Sequence, residues 1–310
     1  MNAELGFKER LKMRAAHALS DTKAGSAYRR FKKFKEQRAA LSNFSYSHPD
    51  QKFVERMTIR AIETLTGKPK LRRMYLEHYQ SPTPGESFWA AAIRKLQLNL
   101  NFDRALWASI PQEGPLVIIA NHPFGVVDGI IISYLASLVK PRFKVLTNSM
   151  LLRAEEVRPF LLPVDFSETR EALETNIATR RQAIQELAEG GTVVVFPSGG
   201  VSTARPPLGK ALDDEWKPFT AKLIHMSKAT VVPIYFEGQN SRLFQIVSSF
   251  SVTLRMSLMF QEVANKIGRD VNISVGKPIA YEEIAHMKDR RTLIEHLRNV
   301  TYKLGETRPQ

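Results

Sequence analysis

The chain has 310 residues, of which 43% are hydrophobic and 25% are charged, a composition typical of a folded protein and unlike that of a disordered one. It contains no cysteine, which excludes disulfides, zinc–thiolate sites and a cysteine nucleophile. The formal net charge is +14, and residues 1–80 hold 18 Lys and Arg against 8 Asp and Glu, which favours a phosphate-rich partner such as nucleic acid or an anionic membrane.

Residues 1–80 are predicted to form a basic helical extension. Within residues 4–40, Tyr28, Phe31 and Phe34 recur at three-residue spacing among lysines and arginines. Such a helix can lie on an anionic membrane surface, or it can be a solvated helix that packs on the body through its aromatic side chains. No helix-turn-helix, zinc or RNA-recognition motif accompanies the charge, so nucleic acid is not expected as a partner.

The second half of the extension carries two further helical patterns. Apolar residues at a helical period predict a helix from Phe53 to Leu65 and another around Leu71 to Tyr75. Residues 81–87 contain two prolines and a glycine and are predicted to be a linker. No segment has the run of about 18 uncharged apolar residues that spans a bilayer. The sequence therefore predicts a cytoplasmic protein that is peripheral on the inner face of the membrane.

From residue 86 onward, short apolar runs alternate with helical patterns. Strands are predicted at 115–120, 143–148, 160–166, 192–197, 230–236 and 271–279, and helices at 88–96, 168–191, 219–228 and 290–306. The segment 129–139 fits either a helix or a strand. Continuous β-branched runs between helices are typical of a sheet buried on both faces. The predicted fold class is α/β, with a mostly parallel sheet flanked by helices over residues 86–302.

Polar residues follow the strand predicted at 115–120. Asn121 and His122 come directly after it, and Asp128 lies six positions beyond the histidine. A carboxylate that accepts the Nδ1–H of histidine leaves Nε2 free to take a proton from a hydroxyl group. In the alternative interpretation, His122 is a core histidine and Asp128 caps the next helix. The spacing alone does not separate these two interpretations.

Metal and nucleotide chemistry have weaker support. None of the other six histidines stands at a zinc-ligand spacing from His122, so no metal is expected. The chain has neither a phosphate-binding loop ending in Gly-Lys-Ser/Thr nor a dinucleotide-binding glycine motif after a strand. No resident cofactor is therefore expected.

Three segments in chain order resemble the glycerolipid acyltransferase family, which includes the 1-acylglycerol-3-phosphate acyltransferases. They are Asn121-His122 with Asp128, the turn Phe196-Pro197-Ser198-Gly199-Gly200, and Val232-Pro233-Ile234. The five-residue spacer between His122 and Asp128 is similar to that of a bacterial subgroup often named hemolysins or lysophospholipid acyltransferases.

The resemblance covers residues 86–302 and implies a reaction. It implies that His122 deprotonates an acceptor hydroxyl and that Asp128 orients the histidine. The hydroxyl then attacks the thioester of acyl-CoA or acyl carrier protein, which are co-substrates rather than cofactors. The acceptor would be a lysolipid.

The chain departs from the family at positions that the family associates with the phosphate of its acceptor. Ser198 replaces a glutamate, and Val201 and Phe166 replace arginines. Candidate substrate-binding residues are Asn121, Phe196, Pro197, Ser198, Gly199, Gly200, Arg205 and Lys210. The sequence therefore leaves two candidate acceptors, lysophosphatidate and a lyso-aminolipid of the ornithine-lipid type. A lipid-binding protein with the same fold and no turnover is the rival function.

Overall fold

The computed structural model describes residues 45, 52–148, 156–165 and 169–306. The basic helix predicted within residues 4–40 lies outside these residues, as does Phe166. Residues 46–310 form one compact unit. The predicted linker at 81–87 lies within that unit, between two helices. The division into an extension of residues 1–80 and a domain of residues 86–302 stays a prediction.

A seven-stranded sheet forms the centre of this unit. Its strands are β1 (Asn99–Asn101), β2 (Leu116–Ala120), β3 (Phe143–Asn148), β4 (Leu161–Val164), β5 (Thr192–Val195), β8 (Thr230–Phe236) and β9 (Asp270–Val275). Their spatial order is β1-β9-β8-β2-β5-β3-β4, and only the β8–β9 pair is antiparallel. The predicted mostly parallel sheet is therefore confirmed. A separate antiparallel hairpin joins β6 (Thr203–Ala204) to β7 (Ala211–Leu212).

The sequence of β2 explains why it lies at the centre. All five residues of Leu116–Ala120 are buried, and alternate side chains pack into the two apolar clusters on opposite faces of the sheet. A strand covered on both faces is apolar throughout rather than alternating. Since β2 runs parallel to both β5 and β8, the carboxyl ends of these three strands meet at one edge.

Helices cover both faces of the sheet and its carboxyl edge. They are α1 (Phe53–Leu65), α2 (Lys68–Gln80), α3 (Phe88–Lys95), α4 (Arg104–Ala108), α5 (Val126–Val139), α6 (Arg170–Ala188), α7 (Phe219–Ser227), α8 (Arg242–Ser248), α9 (Val252–Ser257), α10 (Met259–Asn265), α11 (Tyr281–Ile284) and α12 (Arg290–Lys303). The segment that fits either a helix or a strand is helix α5, which packs between the sheet and α3. Across the described ranges, no helix is both long enough and apolar enough to cross a membrane.

Candidate active site

The candidate site is a loop at the carboxyl end of β2. The chain leaves the strand at Asn121 and turns at Gly125, which has a φ of 73° and directly precedes helix α5. Asp128 occupies the third position of that helix and is fully buried. His122 Nδ1 lies 3.1 Å from Asp128 Oδ2, and the histidine side chain is 17% exposed. The fold thus brings together the two residues that the sequence singled out.

Asp128 has a second set of contacts in the same loop. Its Oδ2 accepts the backbone N–H groups of Phe124, at 2.8 Å, and Gly125, at 2.9 Å. Burial raises the pKa of Asp128, whereas His122 and the two N–H groups act in the opposite direction. The carboxylate therefore contacts the histidine and also caps the loop, and the role of His122 as a general base stays a prediction.

The ring of His122 is held on two sides. It stacks on Phe196 with a centroid distance of 3.9 Å and an interplanar angle of 27°. Nδ1 is buried and close to Asp128, but its N–H is not well aligned for a hydrogen bond. Contacts of this kind often tighten only when substrate binds. Since Nδ1 itself is buried, the exposed part of the ring lies elsewhere, which suits proton transfer through Nε2.

Gly125 is required by both conformation and space. Its positive φ is one that side chains other than glycine's rarely adopt. An added Cβ would lie 2.4 Å from the terminal methyl of Met259 and 3.1 Å from a methyl of Val201. Helix α10 therefore rests directly on the loop that carries His122.

Asn121 joins two strand ends. Its Nδ2 donates to the carbonyl of Phe236 at 2.9 Å, and its Oδ1 accepts the N–H of Phe236 at 2.7 Å. The side chain is buried. These contacts hold the end of β2 to the end of β8, which fits a positioning role; a direct contact with substrate stays a prediction.

Several polar groups of the turn after β5 bond to the protein itself. The Gly199 N–H donates to the Phe196 carbonyl at 2.9 Å, and the Ser198 hydroxyl donates to the Gly200 carbonyl at 2.9 Å. The Pro197 carbonyl accepts the N–H of Lys217 at 2.8 Å. Ser198 is buried, so its hydroxyl is turned into the loop.

Two predicted basic residues lie on the β6–β7 hairpin. Arg205 is 82% exposed and its guanidinium is 3.7 Å from Asp214, and Lys210 is also exposed. A third cation, Lys266, lies nearer the His122 loop, with Nζ 3.6 Å from the centroid of the Phe124 ring. Burial lowers the pKa of Lys266. Within the part of the chain that the structure describes, no three His, Asp or Glu side chains are grouped as a metal site requires.

Asp213 is a central residue of the site that the sequence patterns did not indicate. Its carboxylate accepts the backbone N–H of His122 at 3.1 Å, the hydroxyl of Ser202 at 2.5 Å and the indole N–H of Trp216 at 2.9 Å. Its own N–H donates to the Tyr302 hydroxyl at 2.9 Å. A buried carboxylate thus connects the His122 loop to the segment after the glycine turn. In the sequence it stands in an acidic run that resembles an exposed turn.

We expect Asp213→Asn to lower both stability and turnover. An amide has only one acceptor oxygen, so at least one of the three donors would lose its partner, at about 1–3 kcal/mol of unfolding free energy for each buried group. The displaced His122 backbone should lower kcat more than it raises KM. Thermal unfolding and steady-state kinetics measure the two effects.

Asp214→Asn is the matched control. Asp214 is adjacent, 62% exposed and paired only loosely with Arg205. Removing an exposed ion pair changes the unfolding free energy by about 0–1 kcal/mol. Equal effects of the two substitutions would show that Asp213 does not hold the loop.

An α/β sheet whose carboxyl edge holds a histidine against a buried carboxylate is suited to an enzyme that activates hydroxyl groups. A family model described as Acyltransferase matches residues 80–308. The chain belongs to this acyltransferase family, and it is an enzyme of the acyltransferase class.

Two curated relatives are both named Lyso-glycine lipid O-acyltransferase. The protein from Phocaeicola vulgatus is 24% identical over 209 residues, covering 63% of this chain and 70% of the relative. The protein from Bacteroides thetaiotaomicron is 26% identical over 211 residues, covering 63% of this chain and 72% of the relative. A crystal structure of the 1-acyl-sn-glycerophosphate (LPA) acyltransferase PlsC from Thermotoga maritima superposes with a TM-score of 0.46 and 16% identity, covering 89% of this chain and 90% of that one.

Proposed function

We propose that the protein transfers a fatty acyl group from a thioester to the hydroxyl of a lysolipid. The observation that carries this proposal is the contact between His122 Nδ1 and the buried Asp128 in a chain of the acyltransferase family. A lipid-binding protein without turnover would not need a histidine held between a carboxylate and the ring of Phe196.

The reaction follows from the placement of the histidine. Nε2 of His122 takes the proton of the acceptor hydroxyl while the oxygen forms a bond to the thioester carbonyl carbon. The carbon–sulfur bond then breaks, and the proton on Nε2 passes to the leaving thiolate. Asp128, at 3.1 Å, stabilises the imidazolium that exists between these steps. No protein nucleophile is required.

The favoured acceptor is a lyso-aminolipid, and a lyso-glycine lipid is the first example to test. Both curated relatives carry that substrate in their names. Two positions where the resembled family has charges for phosphate are uncharged here. Ser198 bonds within its own turn, and Val201 packs against the cluster of Phe244, Leu258 and Met259.

The donor and the location are part of the proposal. Acyl-CoA and acyl carrier protein are both thioesters, and either supplies the carbonyl that the mechanism needs. An acceptor with one long acyl chain resides in a bilayer, so the enzyme acts as a peripheral protein on the cytoplasmic face of the membrane. The exposed Arg205 and Lys210 lie on the hairpin beside the glycine turn, where they can contact an anionic head group.

We expect higher kcat/KM on lyso-glycine lipid than on lysophosphatidate with the same acyl chain. The difference should be at least about tenfold, because Ser198 and Val201 stand where the resembled family has charged residues for phosphate, so a phosphate makes fewer charge-assisted contacts at this turn. Turnover of both acceptors in the same detergent, with acyl-CoA and then acyl carrier protein as donor, measures it. A preference for lysophosphatidate would refute the assignment of the acceptor and leave the transfer chemistry standing.

A further inference from the structure

Five large apolar side chains at the carboxyl edge of the sheet are exposed. They are Leu243 and Ile246 of helix α8, Phe250 and Val252 after it, and Leu208 of the β6–β7 hairpin, all between 39% and 81% exposed. We call these five residues the apolar rim. Leu243 and Ile246 are three residues apart and share one face of α8, and Phe250 lies in the turn after the helix, whereas Phe244 and Gln245 are fully buried. The outward side of α8 therefore exposes apolar side chains next to Arg242.

The rim is built on elements that are bonded to each other. The Ala204 N–H donates to Gln245 Oε1 at 2.9 Å, and the Ala211 N–H donates to Gln239 Oε1 at 2.8 Å. Glu262 Oε1 accepts the hydroxyl of Ser241 at 2.6 Å and so anchors the start of α8. The hairpin and α8 thus form a supported surface rather than separate loops.

The rim also lies next to the candidate active site. The hairpin follows the carboxyl end of β5, and α8 follows the carboxyl end of β8, the same edge at which His122 follows β2. Beneath the rim, Phe244 and Met259 pack with Val126 and Val201, which adjoin the catalytic loop and the glycine turn. The rim is therefore connected by packing to the loop that carries His122.

Most charges on the elements of the rim are basic, and the exposed Asp214, 3.7 Å from Arg205, is an acidic neighbour. Residues 238–261 contain Arg242 and Arg255 and no acidic residue, and residues 199–212 contain Arg205 and Lys210 and no acidic residue. Arg242, Arg205 and Lys210 are exposed. Apolar side chains bordered by cations are complementary to an anionic lipid surface, whose head groups attract the cations and whose acyl region accepts the apolar groups.

We propose that the apolar rim inserts into an anionic bilayer and places the mouth of the His122 site at the lipid plane. This inference rests on the proposed function, because a lysolipid acceptor then reaches the histidine without leaving the membrane. The contact is distinct from the one predicted for residues 1–80. It would orient the catalytic edge of the sheet towards the lipid.

The test uses the full chain and its double variant L243S/F250S. Binding is measured by co-flotation with vesicles of equal parts phosphatidylcholine and phosphatidylglycerol, and with phosphatidylcholine alone. We expect the variant to bind the mixed vesicles about tenfold more weakly, because it loses apolar groups that partition into the membrane. Arg242→Gln should weaken binding to the mixed vesicles only, and less at high salt.

The matched control is the double variant L138S/M226S. Leu138 and Met226 are 53% and 55% exposed, near the ends of α5 and α7 at the opposite edge of the sheet. This variant should bind vesicles like the unmodified protein. Unchanged vesicle binding by L243S/F250S would overturn the proposal, as would an equal loss in both double variants.

A kinetic arm separates this proposal from the proposed function. With lyso-glycine lipid in detergent micelles, L243S/F250S should turn over at the rate of the unmodified protein, whereas on vesicles it should be slower. Absence of turnover by the unmodified protein on every lysolipid would refute the proposed function while vesicle binding still tests the rim. A raised KM for acyl carrier protein with unchanged vesicle binding would show that the rim binds the donor protein and would overturn the membrane assignment.

Discussion

His122→Ala is expected to lower kcat by about 10²-fold or more, the usual contribution of a general base. The substitution removes the group that takes the acceptor proton. Neither Asp128 nor Phe196, the two side chains that contact the ring, replaces it. The fold should survive, because the ring is partly exposed and the loop is held through the backbone N–H of His122 to Asp213. Initial rates with an acyl thioester and a lysolipid measure the loss.

His225→Ala is the control for this substitution. His225 is also partly buried and has a hydroxyl partner, Tyr281, at 3.3 Å, but it lies near the end of α7, at the edge opposite the candidate site. We expect near-normal turnover from it. A folded His122→Ala protein with near-normal turnover would disprove the proposed mechanism, and circular dichroism of both variants shows whether they are folded.

Asp128→Asn should lower kcat by about 10²-fold or more, because the amide lacks the charge that stabilises the imidazolium. The effect should depend on His122. If the two residues act as one unit, the double variant His122→Ala with Asp128→Asn loses little more than His122→Ala alone. Single and double variants measured under one set of conditions provide the coupling between the two residues.

Measurements of the unfolding free energy distinguish the capping role of Asp128 from its proposed catalytic role. Asp128→Ala removes the acceptor of the Phe124 and Gly125 N–H groups and should lower the unfolding free energy by about 1–3 kcal/mol for each group left unpaired. The asparagine variant keeps one oxygen that can accept from them and should be less affected. Kinetic losses that multiply in the double variant, together with a large loss of stability in Asp128→Asn, would mean that Asp128 acts mainly as a cap.

Sequence patterns predicted long or strongly apolar elements and missed the short ones. The pattern of residues 192–195 fits only a buried strand, and apolar residues at a helical period predict α1 and α12. By contrast, β1 has only three residues, Asn99–Asn101, and it pairs with Asp270–Asn272 from far along the chain. No local pattern of that length distinguishes a strand from a loop. Helices α8 to α10 have six or seven residues each and were missed for the same reason.

The amino-acid sequence by itself determined the α/β class, the parallel sheet and the pairing of His122 with Asp128 as a candidate site. These depend on residues close in the chain, where period, turn residues and a short motif are sufficient. Only the tertiary structure decided the position of Asp213 beneath His122, the closure of Asn121 on Phe236 and the placement of Phe196 against the imidazole. It also decided that the side chains of the rim share the edge of the sheet with His122. Those contacts join segments 74 to about 115 residues apart, and they form because parallel strands bring their carboxyl ends together at one edge.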